Sequence, residues 1–174
     1  MKVLDNFLSE SYFKEIKNTL TSNYFNWYYI NNIVDQKKVD LSKRFGFAHD
    51  FVNINDNVVE FNQSNFTYFL KSFFLKISDC TEKKQIIRAR AVMTNNVGES
   101  ITYNKHVDFD FPHTTAILYI NETDGNTLVF DNEMIIKEVE PKENRLFIFD
   151  GSLKHTSSTP TKTNERIIIN TNFR

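Results

Sequence analysis

The apolar positions of this chain change their period once, near residue 85. Before that point they recur at helical spacing. Leu8, Tyr12, Phe13, Ile16 and Leu20 fall three or four residues apart, which predicts a helix over Ser9–Thr21 with Ser9 as its cap. Phe66, Phe69, Leu70, Phe73, Phe74 and Ile77 repeat the pattern, predicting a second helix over Asn65–Ile77 capped by Ser64 or Asn65. Between them, Tyr24–Ile33 has the aromatic composition of a strand. Lys37–Asp56 shows little periodicity and reads as a loop with short strands near a pocket mouth.

After residue 85 the period becomes two. In Gln85–Thr94, Ile87, Ala89, Ala91 and Met93 share one face, and Arg88 and Arg90 the other. Asn95-Asn96-Val97-Gly98 signals a turn, and Ser100–Asp108 reads as the next strand. Thr114–Ile120, Thr127–Phe130, Met134–Val139, Arg145–Phe149 and Glu165–Phe173 follow, separated by Asp124-Gly125-Asn126, Pro141 and Asp150-Gly151. So many short strands without an intervening helix imply a jelly roll, sandwich or barrel. The expected class is α+β, mainly β, with the N-terminal helices packed on the outside of one sheet.

Composition narrows this little. A chain of 174 residues suits one domain, expected here over 1–174. Seventeen Phe against one Trp and four Gly suggest a core built of rings. A net charge of −1 offers no basic field for a nucleic-acid backbone. Cys80 is the only cysteine, which rules out an internal disulfide and a thiolate zinc site. Met1–Glu10 carries acids and does not read as a secretory signal; no apolar run approaches the ~20 residues that span a bilayer. The expected compartment is the cytoplasm.

The chemistry is concentrated in Tyr103-Asn104-Lys105-His106-Val107-Asp108. A His and an Asp two apart on an extended strand point to one side and can share a metal ion. His155 is the natural third ligand, because a jelly roll can return the chain to its starting point. Two His and one carboxylate on one face of an octahedron leave the opposite face open, the arrangement of non-haem Fe(II) oxygenases. Arg166, eleven residues after His155, is matched to a carboxylate through two parallel charge-assisted bonds. His-X-Asp alone arises often by chance; the distal His and Arg give it weight. His49 reads as a structural histidine, Asp110 and His113 as loop residues, and Cys80 as a helix-end residue without redox duty. Arg88 and Arg90 read as a solvated face, with an anionic substrate as the sharper option.

These residues resemble the 2-oxoglutarate- and Fe(II)-dependent dioxygenases, most of all their prolyl 4-hydroxylase-like branch. Ala116–Asn121 resembles the family's strand after the ligand pair, and Gly125–Phe130 its Gly-Thr turn. Pro141–Phe149 resembles the stretch leading to the distal His. The motif-bearing core is about 85–174. The resemblance implies a double-stranded β-helix holding Fe(II) through His106, Asp108 and His155, with no catalytic side chain beyond these ligands. It implies 2-oxoglutarate as co-substrate, with Arg166 on its distal carboxylate and Tyr119, Tyr103 and Asn170 as further contacts, and dioxygen as oxidant. A peptide or small-molecule substrate would be hydroxylated at an unactivated C–H with release of succinate and CO2. A prolyl or other peptidyl residue is the first expectation. Two other readings stand beside it: a cupin-like jelly roll holding Zn, Mn or Ni through the same side chains, and a binding module with no metal.

Overall fold

The computed structural model describes residues 1–33, 43–55, 58–60, 64–83 and 85–174. Among these, α1 (Glu10–Leu20) and α2 (Lys71–Thr81) lie against a sheet ordered β1-β9-β6-β11-β5-β3-β2, with β4 paired to β3. These strands are β1 (Lys2–Leu4), β2 (Tyr28–Ile30), β3 (Gly46–Asn55), β4 (Val58–Glu60), β5 (Ile86–Asn95), β6 (Thr114–Tyr119), β9 (Arg145–Asp150) and β11 (Glu165–Phe173). A smaller sheet, β10-β7-β8, consists of β10 (His155–Thr156), β7 (Thr127–Asp131) and β8 (Met134–Val139). Every pairing is antiparallel. The mainly β double-stranded β-helix is therefore present, with both helices on one sheet. No helix among the described residues is long and apolar enough to cross a membrane.

Period-two alternation divides the large sheet into two faces with different tasks. One face meets the helices. Phe13, Ile16 and Leu20 of α1 and Phe73, Phe74 and Ile77 of α2 bury against Ala89, Ala91, Ala116, Leu118, Ile167 and Ile169. The small alanines let the ring-bearing helices approach closely, and each fully buried ring contributes about 2–3 kcal/mol. The other face meets the small sheet through Ile117, Tyr119, Phe147, Phe149 and Ile168 against Val129 and Val139. That second layer holds the polar side chains discussed below.

Several expectations need correction. Lys37–Asp56 is not loop throughout: β3 is a ten-residue strand paired on both sides, although residues 37–42 and 56 lie outside the described residues. The helix expected over Asn65–Ile77 starts later, at Lys71, and ends later, at Thr81. Ahead of it the chain forms turns, because Ser64 Oγ accepts from Phe66 N–H (3.0 Å) and Thr67 Oγ1 donates to Phe51 C=O (2.8 Å). Of Tyr24–Ile33, only Tyr28–Ile30 is strand. Ser9 sits at the N-cap of α1 without a side-chain cap bond; its C=O accepts from Phe13 N–H (2.9 Å). Ser100–Asp108 is not a regular strand and is tied down by single bridges, Thr102 to Ser158 and His106 to His155. His49 is structural as expected: it is buried, with Nδ1 2.6 Å from Asn26 C=O and Nε2 2.6 Å from Ser64 Oγ.

Candidate functional site

The bridge between His106 and His155 sets the geometry of the site. Each residue donates its N–H to the other's C=O, at 3.0 and 2.9 Å, so two histidines far apart in sequence lie directly opposite. Their rings stand 4.5 Å apart. Asp108 follows, and one ligand atom from each of His106, Asp108 and His155 lies within 4.8 Å of the others. Alternation was expected to align His106 with Asp108, and the return of a jelly roll to bring His155 beside them; the return is made by this backbone pair between His106 and His155.

Both imidazoles face backbone oxygens through Nδ1: His106 towards Asn104 C=O (3.1 Å) and His155 towards Leu153 C=O (3.4 Å). An Nδ1–H donating there leaves each Nε2 with its lone pair free, the tautomer a metal requires. Phe149 packs its ring against His155 at 5.1 Å. Burial pushes the His155 pKa down to about 4, more strongly than Asp108 pulls it up, so the ring is neutral at physiological pH.

Asp108 is held from three sides. Its carboxylate pairs with Arg88 Nη2 through Oδ1, and Oδ2 accepts from Asn172 Nδ2 (2.8 Å) and Asn170 Nδ2 (3.2 Å). Burial alone would raise its pKa. Arg88, His155 and the two amides outweigh that and hold the carboxyl well below its usual range. A carboxylate and two imidazoles form a donor set that fits a divalent ion of borderline softness.

Arg166 enters the same cavity from β11. Its side chain is wholly buried, and among the described residues it donates to neutral oxygens: Nε to Gly125 C=O (2.7 Å) and Nη2 to Thr127 Oγ1 (2.9 Å). Burial pulls the guanidinium below its ordinary range. A buried cation without a carboxylate partner among the described residues is a strong feature, since charges are rarely buried unless paired. The cavity, about 240 Å³, is lined by Arg166 together with His106, Asp108, His155, Tyr103, Asn170 and Thr127.

The remaining expected contacts divide. Tyr103 lines the cavity with its hydroxyl unpartnered, and burial raises its pKa to about 12, so it stays protonated. Tyr119 is buried behind the wall and donates to Thr127 Oγ1 (2.7 Å). Asn170 spends its amide on Asp108 and leaves Oδ1 unpartnered in the cavity wall. Asn172, Thr127 and the Arg88–Asp108 pair were not singled out from sequence for these places. Asn172 shares the parity of Arg166 and Asn170 on β11, which is the signal that could have found it.

Gly125 makes the seat of Arg166 possible. A Cβ there would lie 2.6 Å from Ser158 O and 2.7 Å from Arg166 Cδ. Gly125→Ala is expected to push the guanidinium aside and weaken binding of a carboxylate ligand in this cavity by about tenfold, within the range a 1 Å misplacement can cost. Calorimetric titration checks it.

A pH effect on folding follows from His155. Its folded pKa of about 4 lies below the ordinary 6.5, so between those values the unfolded chain binds more protons. Stability of the metal-free protein is therefore expected to fall as pH is lowered from 6.5 to 4, by up to on the order of 3 kcal/mol. Asp108, depressed as well, extends the loss to lower pH. Thermal unfolding across this window should show the slope, and His155→Gln should flatten it.

Residues 92–174 match the family model described as 2OG-Fe(II) oxygenase superfamily. No curated protein matches the chain in sequence. Solved structures share its fold. One is an oxidoreductase of the 2OG-Fe(II) oxygenase family from Burkholderia pseudomallei, with TM-score 0.78 and 8% identity over 98% of this chain and 83% of that one. Another is a prolyl hydroxylase from Trichoplax adhaerens in complex with a hypoxia inducible factor peptide fragment, with TM-score 0.68 and 16% identity over 99% and 82%. A third is the non-heme alpha ketoglutarate dependent epimerase SnoN from nogalamycin biosynthesis, with TM-score 0.66 and 11% identity over 99% and 76%. At these identities the likeness is one of fold.

Proposed function

We propose that this chain, whose second half, residues 92–174, belongs to the 2OG-Fe(II) oxygenase superfamily, is a hydroxylase forming one domain over 1–174. The superfamily's cofactors are Fe(II), 2-oxoglutarate and dioxygen. Together, when bound, they supply the oxidising chemistry: 2-oxoglutarate and dioxygen become succinate and CO2, while a substrate C–H becomes C–OH.

The protein's part is to bind, orient and keep dry. His106, Asp108 and His155 would hold the metal, the two rings oriented through Nδ1 and the carboxylate by Arg88, Asn170 and Asn172. Arg166 would take the distal carboxylate of 2-oxoglutarate, helped by the Thr127 hydroxyl, whose own proton is free while its oxygen accepts from Tyr119 and Arg166. Tyr103 can donate to the same ligand or to substrate. Ile117 and Ile168 form an apolar wall that limits water.

The observation that carries this reading is the buried, carboxylate-free Arg166 in the same cavity as the three metal-ligating side chains. A cupin-like protein with another metal would have no need of that cation. The fold likeness to a prolyl hydroxylase supports a prolyl or other peptidyl side chain as substrate.

The test is calorimetric. Mn(II)-loaded protein should bind N-oxalylglycine, a 2-oxoglutarate mimic, and anaerobically purified protein with Fe(II) should convert 2-oxoglutarate to succinate in air. Metal binding without N-oxalylglycine binding would turn the assignment to the cupin-like reading.

A further inference from the structure

Two guanidinium groups on the cavity face of β5 take no part in holding 2-oxoglutarate. Arg88 and Arg90 stand two residues apart on one side of the strand, and both line the cavity. Each is fixed along one edge. Arg88 donates through Nε to Asn172 Oδ1 (3.0 Å), pairs with Asp108 through Nη2, and lies 4.9 Å over the Phe109 ring. Arg90 grips Asp50 with Nε and Nη2, the latter at 3.0 Å. The Nη1 edge of each has no hydrogen-bond partner among the described residues. A guanidinium anchored on one edge and open on the other is pre-organised for an incoming anion.

We propose, on the footing of the iron and 2-oxoglutarate reading above, that the substrate presents a single carboxylate-type anion to Arg88 and Arg90. In the loaded site the divalent ion and the guanidinium groups of Arg88, Arg90 and Arg166 carry five positive charges, and 2-oxoglutarate, Asp108 and Asp50 carry four negative ones. One positive charge remains in surplus among the described residues. A half-buried cavity screens that surplus poorly, so it selects for one negative charge on the remaining ligand. Next to the arginines lie Val92, on the same face of β5, and Ile30 and Ile33. That wall suits a short aliphatic body joined to the anion. The fitting substrate is a small aliphatic acid, or an acidic side chain, and not an uncharged amide.

The probes are 4-methylpentanoate and 4-methylpentanamide, alike in shape and different in charge. Each is titrated into protein loaded with Mn(II) and N-oxalylglycine. The acid is expected to bind at least about tenfold more tightly than the amide, as hydrogen bonds to a charged partner allow. Arg90→Gln should cut this preference to below about threefold, and Arg90→Lys should retain most of it. Equal binding of acid and amide overturns the proposal, as does binding of neither. A preference that survives Arg90→Gln unchanged overturns it too. Should the Gln variant fail to fold, the wild-type comparison and the Lys variant decide. N-oxalylglycine is titrated first into every protein. No binding there removes the 2-oxoglutarate reading itself, whereas N-oxalylglycine binding without acid preference removes only the anionic substrate.

Discussion

Asp108→Ala is expected to lower Mn(II) affinity by more than about a hundredfold, the upper end of what loss of one supporting contact to a metal ligand costs, and to end 2-oxoglutarate turnover. Asp108 supplies the only carboxylate of the three converging ligands, and its side chain is just 6% exposed. Its removal also strands three donors that now point at it: Arg88 Nη2, Asn170 Nδ2 and Asn172 Nδ2. Some loss of stability is therefore expected, and circular dichroism must accompany the titration. Asp108→Asn separates the two effects. It keeps the shape and one acceptor oxygen while removing the charge, so folding should survive and metal binding should still collapse. An unaltered Mn(II) affinity in both variants, with His106→Ala also unaltered, would count decisively against a metal centre here.

The second half of the fold was legible because its signals are local. Turn residues bound nearly every strand, and side chains alternate cleanly; β11 spans Glu165–Phe173 as the pattern predicts. That alternation also carried functional content. Arg166, Ile168 and Asn170 fall on the cavity face, while Ile167, Ile169 and Phe173 fall on the helix face. β3 was not legible, for a physical reason. A register shift between Asp50 and Val52 buries Phe51 and Val52 side by side and so breaks the alternation. Its polar residues His49 and Asp50 find distant partners, Asn26 and Ser64 for the first and Arg90 for the second. The late start of α2 is tertiary as well: the Tyr12 hydroxyl donates to Phe69 C=O (2.8 Å) and accepts from Phe73 N–H (3.4 Å) at the turn that helix periodicity alone cannot see.

At the site, residue types were readable and their pairings were not. His106, Asp108, His155 and Arg166 announced themselves by chemistry and order. The manner of their convergence needed the backbone exchange between His106 and His155, a contact with no local signature. Arg88 looked like a solvated face because a strand of alternating Ile, Ala and Arg suggests water on the Arg side. The small sheet covers that side instead, so a guanidinium that would have been hydrated becomes a partner of the Asp108 carboxylate.

Arg166→Met should separate binding from structure more sharply than any other substitution. The guanidinium is wholly buried, and among the described residues Gly125 C=O and the Thr127 hydroxyl satisfy it. Were its role structural, removal would be strongly destabilising. Replacing an uncompensated buried charge by an apolar side chain of similar length instead relieves a desolvation penalty that is on the order of several kcal/mol per buried ion. The lost bond to Gly125 C=O offsets part of that gain. The metal-free variant is accordingly expected to unfold at or slightly above the wild-type temperature. Its affinity for N-oxalylglycine should fall far more, by about thirtyfold to several thousandfold, the cost of truncating one partner of a buried charge pair at ~2–5 kcal/mol. Mn(II) affinity without N-oxalylglycine should be nearly untouched, because no hydrogen bond or ion pair among the described residues joins Arg166 to His106, Asp108 or His155. A variant that loses several degrees of thermal stability and keeps N-oxalylglycine would make this arginine a structural cation and would remove the strongest support for a dicarboxylate in the cavity.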